Sequence, residues 1–194
     1  MNPLNKWLLG SVSAAVIAGA TLWEGTKTTA YYDIVNVLTV CNGYTGKDIV
    51  KGKVYTKAEC KFLLEKELKI HANGILKCIT VPLSQHQFDA FTLFAYNVGV
   101  GAFCSSKTVL QPLNKGNYQQ ACDGLLRWTY ADGKYVKGLY NRRVYERAMC
   151  RGELNVPEIR AVFDYSPEYY RWWVSDPPNG SKFSSSPSES KSSS

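Results

Sequence analysis

Two carboxylates and a hydroxyl lie close together near the amino terminus, and their types and spacing could support cleavage of a glycosidic bond. Eight residues separate Glu24 from Asp33, and five separate Asp33 from Thr39. A protonated carboxyl can donate to the leaving sugar oxygen while an ionised carboxylate assists the reaction at the anomeric carbon. Spacing alone does not establish this chemistry, because most carboxylates this close in sequence are solvated surface charges.

The surroundings of the three residues suggest a different role for each. Glu24 directly follows an apolar segment, so partial burial should raise its pKa and keep it protonated as the acid. Asp33, in a polar turn, is expected to stay ionised, and Thr39 could hold a water molecule by its hydroxyl. Each residue also has an ordinary structural interpretation. Glu24 could simply end the apolar segment, Asp33 could form an Asx turn, and Thr39 could be a strand threonine.

The apolar segment that must position Glu24 covers residues 7–23 and contains no charged side chain. Its seventeen residues are at the lower limit of what can cross a bilayer as a helix. Glycine, alanine and serine make up much of it and contribute little to insertion, so such a helix could enter a membrane and leave it again. The alternatives are a permanent anchor and a secretory signal peptide cleaved after Ala20.

The elements downstream are predicted from local patterns. Residues 31–56 are rich in β-branched and aromatic side chains and predict a small β-lobe, with a hairpin at Asn42-Gly43 and strand segments that include residues 49–50. S/T-x-x-E/Q capping boxes at Thr56 and Ser84 predict helix starts in a helical lobe over residues 57–152. The first helix is expected to bury Phe62, Leu63, Leu64, Leu68 and Ile70. The second is expected to end at Gly99 and Gly101, and further helices are expected over residues 106–114, 117–128 (capped by Asn117) and 137–150.

Length and charge restrict the class of protein. A chain of 194 residues can bury one core and a small appendage. The formal net charge of +7 indicates an anionic partner, such as a membrane surface, an acidic cell wall or nucleic acid. Because the basic residues are scattered and no nucleic-acid motif is present, we expect no nucleic acid partner.

The cysteines indicate disulfides rather than a metal site. Six are present, Cys41, Cys60, Cys78, Cys104, Cys122 and Cys150. No C-x-x-C pair occurs, and only His71 and His86 could join the cysteines, so we expect no metal and no cofactor. An even number behind a membrane-targeting segment favours disulfides in an oxidising compartment, and the sequence leaves their pairing open. The alternative is buried free thiols in a cytosolic protein.

Several segments together resemble the phage lysozymes of glycoside hydrolase family 24. The order of Glu24, Asp33 and Thr39 matches the catalytic residues of that family, and the segment 42–46 (NGYTG) follows as it does there. Residues 87–91 (QFDAF), 94–99 (FAYNVG) and 101–103 resemble its central helix and turn. The C-terminal signature is matched at residues 127–130 (RWTY), 133–134, 138–139 and 142–143. The resemblance covers about residues 24–152.

The resemblance implies an α+β, lysozyme-like fold with a small antiparallel β-lobe, a larger helical lobe and an N-terminal signal-anchor helix. It divides the chain into an anchor segment, residues 1–23, and a lysozyme domain, residues 24–154. An aromatic-rich extension, residues 155–176, and a Ser/Pro-rich tail, residues 177–194, lie beyond the family core. The tail is expected to be disordered. The extension could pack back on the domain or bind the cell wall or membrane surface.

The function implied by the resemblance is that of an endolysin. The substrate would be the β-1,4 bond between N-acetylmuramic acid and N-acetylglucosamine in peptidoglycan, cleaved with inversion by Glu24, Asp33 and Thr39. Inversion requires carboxyl groups about 6.5–9.5 Å apart, which admits a water molecule. The enzyme would be a monomer without a cofactor.

Two details of the family pattern need separate treatment. Asn36 stands where a glycine is usual between the aspartate and the threonine, and asparagine tolerates a left-handed turn better than most residues. By resemblance Cys78 should pair with Cys104, which leaves Cys41–Cys60 and Cys122–Cys150 as the best remaining pairs. Cys41 is not expected to be catalytic, since Asp33 is present. His71 and His86 are expected to be surface or capping residues.

Residues 7–23 resemble the signal-anchor-release segments of some phage endolysins. The chain would then be tethered to the host inner membrane, facing the periplasm, and inactive. Loss of the membrane potential, as when a holin opens pores, would release it into the periplasm without direct contact between the two proteins. After release, the small-residue face of this segment could pack on the soluble domain and bring Glu24 into place.

Two functions from other classes are also compatible with the sequence. One is a catalytically inactive wall-binding protein, and the other is a cationic lysis protein that disrupts membranes through residues 7–23 and the aromatic extension. Loss of turbidity of permeabilised dead cells would separate an enzyme from both.

Overall fold

The computed structural model describes residues 3–8, 12–24, 26–33 and 36–154, and for Glu24 it describes the main chain. The α-helices are α1 (Ala14–Glu24), α2 (Lys57–Leu76), α3 (Gln85–Val98), α4 (Val100–Cys104), α5 (Leu110–Asn114), α6 (Tyr118–Gly124) and α7 (Lys137–Arg151). Short 3₁₀ helices cover Pro3–Leu8 and Leu125–Arg127. The strands are β1 (Lys27–Tyr32), β2 (Leu38–Cys41), β3 (Tyr130–Ala131) and β4 (Lys134–Tyr135). The predictions for residues 155–176 and 177–194 lie outside the described residues.

The helical lobe is built around α3, which packs against α1, α2, α4 and α7. All residues from Phe88 to Ala95 are buried, so this helix has no solvent-facing side over these eight residues. A helix that is apolar on most of its faces must be surrounded by other elements. The small antiparallel β1–β2 sheet lies apart from this core, and the predicted α+β fold with two lobes is confirmed.

Both capping boxes predicted from the sequence are present. The Thr56 and Ser84 side chains accept hydrogen bonds from the main chain of Glu59 and Gln87, whose side chains accept in return from the cap residues. The apolar set predicted for α2 is partly wrong, because Phe62 is 68% exposed and Ile70 is 54% exposed. The buried stripe of α2 contains Leu64, Leu68, Ala72 and Ile75. Positions two residues away from this stripe lie about 200° around the helix and face solvent.

The β-lobe begins earlier than the sequence predicts, at Lys27 rather than residue 31. Its two strands pair in antiparallel register, and an isolated bridge joins Thr29 to Val54. The hairpin turn at Asn42-Gly43 is confirmed, since Val40 and Tyr44 exchange two main-chain hydrogen bonds of 2.9 Å around it. Residues 49–50 are not in a strand; the surrounding residues form turns, and Val50 is exposed.

Several boundaries in the second half of the helical lobe differ from the predictions. Gly99, with φ of 89°, ends α3, but α4 begins at Val100, so Gly101 lies inside a helix. Of the helix expected over residues 106–114, only Leu110–Asn114 is helical (α5). In the helix expected over residues 117–128, α6 ends at Gly124 and a 3₁₀ turn follows over Leu125–Arg127. Asn117 precedes α6 without a capping bond from its side chain. The β3–β4 hairpin was not expected; its signal was the dipeptide Asp132-Gly133, in which both residues have positive φ.

Three disulfides join the six cysteines in the pairs that the sequence analysis expects. Cys41, at the end of β2, is bonded to Cys60 in the first turn of α2, so this bond ties the β-lobe to the helical lobe. Cys78–Cys104 links the end of α2 to α4, and Cys122–Cys150 links α6 to α7. A disulfide of this kind typically contributes about 2–4 kcal/mol to stability.

The N-terminal segment packs on the helical lobe. Leu8, Val16 and Ala20 are at most 1% exposed and belong to the main hydrophobic core. Within the part of the chain that is described, no helix combines the length and apolar character needed to cross a membrane.

Candidate active site

The three residues singled out by the sequence occupy the ends of short elements. Glu24 is the last residue of α1, Asp33 follows directly after β1, and Thr39 is the second residue of β2. Asp33 is half-buried, while Thr39 is 3% exposed. The β-hairpin therefore carries two of the three, and the N-terminal helix carries the third.

Asp33 and Thr39 are held by the same residue of the β1–β2 loop. The Val37 N–H donates to Asp33 Oδ1 at 2.8 Å, and Thr39 Oγ1 donates to the Val37 carbonyl at 3.0 Å. The Val37 carbonyl also accepts from the Asp33 N–H at 3.0 Å. The Val37 bond spans four residues, so it is not the Asx turn named as the structural alternative for Asp33, in which the side chain bonds the main chain two residues on, but it does orient the carboxylate.

Strand pairing brings Asp33 and Thr39 to the same end of the sheet. Thr39 pairs with Tyr31 across the ladder, and Asp33, which directly follows the last residue of β1, lies two residues beyond Tyr31. The Val37 main chain therefore bonds to both residues at this end of the hairpin.

The turn that joins the strands depends on Asn36, which has φ of 63°. This is the left-handed conformation, and asparagine adopts it more readily than most residues. The Asn36 N–H donates to the Asp33 carbonyl at 3.0 Å. The expected tolerance of asparagine at this position of the family pattern is confirmed.

The carboxyl end of α1 is fixed by an aromatic contact. Trp23, which precedes Glu24, packs edge-on against Tyr145 of α7, with ring centroids 6.0 Å apart. Burial raises the pKa of Tyr145 to about 12, so its phenol stays protonated and does not add a negative charge beside α1.

A polar cavity of about 240 Å³ opens between the lobes. Its lining comes from the β-hairpin, α2 and α3: Asn42, Gly43, Thr45, Glu67, His71, Tyr96 and Asn97. Tyr96 Oη donates to the Asn42 carbonyl at 2.6 Å, which ties the two lobes together at this cavity. The His71 ring packs edge-on against Tyr96, so His71 is a wall residue rather than a free surface histidine. Sequence reasoning did not predict this wall, since its members come from separate elements.

A buried ionic cluster on α7 supports the cavity from behind. Arg142 and Glu146 are paired at 3.0 Å, as are Arg143 and Glu146, and all three are at most 4% exposed. Arg143 donates to the side chain of Asn97, a cavity residue, and lies 4.7 Å from the centre of the Phe94 ring. Arg142 donates to the Leu93 carbonyl at 3.3 Å. Arg142 and Arg143, which belong to the C-terminal signature of the family pattern, therefore fix α7 to α3.

A larger cavity, about 430 Å³, lies between the β-lobe and the start of α2. Its carboxylates are engaged in ion pairs and hydrogen bonds. Lys53 contacts Glu59 at 2.5 Å and lowers the pKa of Glu59 to about 2, and Tyr44 donates to Asp48, whose pKa is also lowered. Carboxylates held ionised in this way cannot serve as a proton donor near neutral pH, so size alone does not make this cavity the reaction site.

Metal-ligating residues are not clustered in the part of the chain that the structure describes. No group of three His, Cys, Asp or Glu side chains there could hold a metal ion, and all six cysteines are in disulfides. Asp33 and Thr39, joined through Val37, supply a carboxylate and a hydroxyl, which are groups suited to acid–base hydrolysis of a polar substrate. Neither is among the described residues that line the polar cavity.

Comparisons with known proteins agree with this geometry. The family model for phage lysozymes matches residues 21–146. The SAR-endolysin of bacteriophage PS119 is 50% identical over 161 residues, which cover 77% of this chain and 96% of that protein. The SAR-endolysin of Enterobacteria phage P21 is 50% identical over 127 residues, covering 66% of this chain and 76% of its own length.

A solved structure supports the same assignment. The crystal structure of a mutant P22 lysozyme superimposes with a TM-score of 0.66 and 33% sequence identity, covering 73% of this chain and 98% of that protein. The chain therefore belongs to the phage lysozyme family and is a peptidoglycan-hydrolysing endolysin of host lysis.

Proposed function

We propose that this endolysin is an inverting muramidase of glycoside hydrolase family 24. It would cleave the β-1,4 bond between N-acetylmuramic acid and N-acetylglucosamine. Glu24 donates a proton to the glycosidic oxygen, and Asp33 and Thr39 hold the attacking water. The observation that carries this proposal is the shared attachment of Asp33 and Thr39 to Val37.

The hydrogen bonds fix the direction in which water can bind. The Thr39 hydroxyl uses its one proton in the bond to the Val37 carbonyl, so towards water it acts as an acceptor. A carboxylate is acceptor-only and has several lone pairs, so Asp33 can accept from water while it also accepts from Val37. A water that donates to both groups points a lone pair of its oxygen away from them, towards the sugar.

The reaction then balances with two carboxyl groups. The proton of Glu24 passes to the leaving oxygen as the bond to the anomeric carbon breaks. The water oxygen attacks that carbon from the opposite face, and its proton passes to Asp33. The product has inverted configuration at the anomeric carbon.

The polar cavity between the lobes provides contacts for the glycan. Asn97 is exposed, and its amide NH₂ can donate to the acetamido and hydroxyl groups of the sugars while its Oδ1 accepts from Arg143. Asn42 is buried, and its Nδ2 donates to Thr26 Oγ1 at 2.9 Å. Asn42 lies on the same hairpin as Thr39, three residues further along, so glycan bound along this wall would run beside the reacting bond.

The test is hydrolysis of purified cell walls by Glu24→Gln, with anomeric analysis of the wild-type product. Loss of a positioned proton donor typically lowers the rate about 10²–10⁴-fold. The matched control is Glu65→Gln, since Glu65 makes an exposed i,i+4 ion pair on α2 and should not affect the rate. Near-normal activity of Glu24→Gln, or a product of retained configuration, would refute the proposal.

We further propose that the enzyme is made as a monomer tethered to the host inner membrane through residues 7–23, with the lysozyme domain, residues 24–154, in the periplasm. Collapse of the membrane potential by a holin would release it. The potential contributes about 2.3 kcal/mol per elementary charge per 100 mV, which is comparable with the marginal insertion of a helix rich in small residues. The names of the SAR-endolysin relatives support this proposal. It is tested by fractionating cells before and after an uncoupler is added.

A further inference from the structure

Asp89 is a buried carboxylate that the chemistry above does not use. It lies on α3 and is 5% exposed. Ser13 Oγ donates to its Oδ2 at 2.8 Å, and Gln85 Nε2 donates to its Oδ1 at 2.7 Å. Burial raises the pKa of Asp89, and the two hydrogen bonds oppose that shift. A buried carboxyl group costs stability unless it is hydrogen-bonded, so its partner in the N-terminal segment is a specific one.

Ser13 is the residue from which α1 begins. Its side chain accepts from the Val16 N–H at 3.3 Å, and its carbonyl accepts from the Ile17 N–H at the same distance. The hydroxyl therefore caps the helix and donates to Asp89 at the same time. Because the positive end of the helix dipole lies at this terminus, it also favours a carboxylate there.

In the middle of α1, Gly19 packs closely against α3 and α7. A Cβ on Gly19 would lie 2.9 Å from Leu93 Cδ2 and 3.2 Å from Tyr145 Cε1. Leu93 is fully buried, so its side chain has little room to move aside. Gly19 is the single glycine of α1. A shift of one residue would rotate the helix by about 100° and bring a residue with a Cβ into this narrow space.

A second polar contact precedes α1. Asn5 is fully buried; its Nδ2 donates to the Val81 carbonyl at 2.8 Å, and its Oδ1 accepts from the Leu83 N–H at 3.0 Å. The 3₁₀ helix Pro3–Leu8 is thereby attached to the chain just before α3. The N-terminal segment thus contacts the start of α3 at two separate polar points, Asn5 and Ser13.

We propose that Asp89 is a positioning residue: by binding Ser13 it sets the register of α1 against α3 and α7, and so places Glu24 at the other end of the helix. This inference rests on the proposed role of Glu24 as the acid. Glu24 lies eleven residues after Ser13, at the end of the eleven-residue helix α1. A helix held at its cap, at Gly19 and at Trp23 is restrained against rotation and sliding, so the main chain at Glu24 is held in one place.

The test compares Asp89→Ala, Ser13→Ala and the double variant in the full-length purified protein, with turnover measured at saturating peptidoglycan. Loss of a hydrogen bond to a carboxylate should lower kcat about 10- to 100-fold with little change in KM. The double variant should lose no more than either single one, because both remove the same contact. Asp89→Asn keeps an accepting oxygen and should restore most of the rate.

The matched control is Ser84→Ala, which removes the hydroxyl that caps α3; Ser84 makes no hydrogen bond with the described residues of α1. It should lower Tm and leave kcat unchanged. Hydrogen exchange provides the second readout: Asp89→Ala should accelerate exchange in α1 and not in α2.

If Asp89→Ala lowers Tm as Ser84→Ala does while kcat and α1 exchange stay at wild-type values, the role of Asp89 is structural and the proposal is wrong. Should Asp89→Ala fail to fold, Ser13→Ala decides by the same criteria. The exchange readout is independent of Glu24. If Glu24→Gln remained active, faster α1 exchange would still show that Asp89 holds the helix, and the failure would belong to the catalytic assignment.

Discussion

Asp33 and Thr39 are joined through Val37, which donates its N–H to the Asp33 carboxylate at 2.8 Å and accepts the Thr39 hydroxyl proton at 3.0 Å. One residue thereby orients both groups that would hold the attacking water. On the proposed mechanism the loop between the strands would belong to the catalytic apparatus, since any change in the Val37 peptide moves both side chains together.

Thr39→Val keeps the shape of the side chain but removes the hydroxyl. We expect hydrolysis of cell walls to fall about 10- to 100-fold, because the water loses one of its two acceptors and the Val37 carbonyl loses a partner. Thr39→Ser keeps the hydroxyl and serves as the control, with activity close to wild type. Initial rates of turbidity loss, together with Tm, separate the effect on catalysis from unfolding. Equal rates of wall hydrolysis for Thr39→Val and Thr39→Ser would show that the Thr39 hydroxyl has no role in catalysis.

Ala14 and Thr21 allow the anchor hypothesis to be tested without disturbing the packed helix. Both are exposed on α1, whereas Ser13 and Gly19 make the contacts that fix it. Leucine favours membrane insertion by about 0.3–0.6 kcal/mol per residue. Ala14→Leu combined with Thr21→Leu should therefore retain the protein in the membrane fraction and delay lysis, while the purified protein hydrolyses walls at the wild-type rate.

The control for that experiment is Ala14→Ser with Thr21→Ser, which should be released at least as early as wild type. Fractionation before and after an uncoupler, with lysis followed in parallel, gives the measurement. Release and lysis by the leucine variant as fast as wild type, or a wild-type chain found only in a form cleaved after Ala20, would contradict the release hypothesis.

Glu146 is paired with two buried guanidinium groups, so its charge matters more than that of a surface residue. Glu146→Gln should lower the free energy of unfolding by about 3–5 kcal/mol, because Arg142 and Arg143 both lose the buried ion pair with this carboxylate. Glu153→Gln, which alters the more exposed pair with Arg151, should cost about 0–1 kcal/mol. Urea unfolding of both variants checks this. Equal urea midpoints for Glu146→Gln and Glu153→Gln would indicate that other groups compensate the charges of Arg142 and Arg143.

Glu59 should make the fold sensitive to acid. Its pKa is lowered from 4.5 to about 2 by the Lys53 ammonium and the Thr56 hydrogen bonds. Since the folded-state value is below the unfolded one, Glu59 stabilises the fold above about pH 4.5, and this contribution is lost as the pH falls towards about 2.

Glu59→Gln keeps a residue suited to the capping box but has no charge to titrate. Its Tm should therefore fall less steeply than that of wild type as the pH is lowered from about 5 to about 2. Glu65→Gln is the control on the same helix. Parallel Tm profiles for wild type and Glu59→Gln would show that the Lys53 pair does not contribute to the acid sensitivity.

The sequence by itself determined the features that depend on neighbours a few residues apart. The capping boxes at Thr56 and Ser84 and the turn at Asn42-Gly43 are formed by residues within one turn of each other, so their patterns are sufficient to predict them. The tolerance of a left-handed conformation at Asn36 is likewise a property of the residue itself. The spacing of Glu24, Asp33 and Thr39 identified the candidate site, because the family pattern lies in one continuous stretch of chain.

The tertiary structure decided what depends on contacts between distant segments. Ser13 and Asp89 are 76 residues apart, and nothing local to either residue indicates the bond between them. Phe62 and Ile70 are apolar yet exposed, because the packing of α2 against α3, and not apolarity alone, selects the buried stripe. The cavity wall formed by Asn42, His71 and Tyr96 exists only when the hairpin, α2 and α3 meet. Such contacts follow from how whole elements fill space against each other, which a linear pattern does not encode.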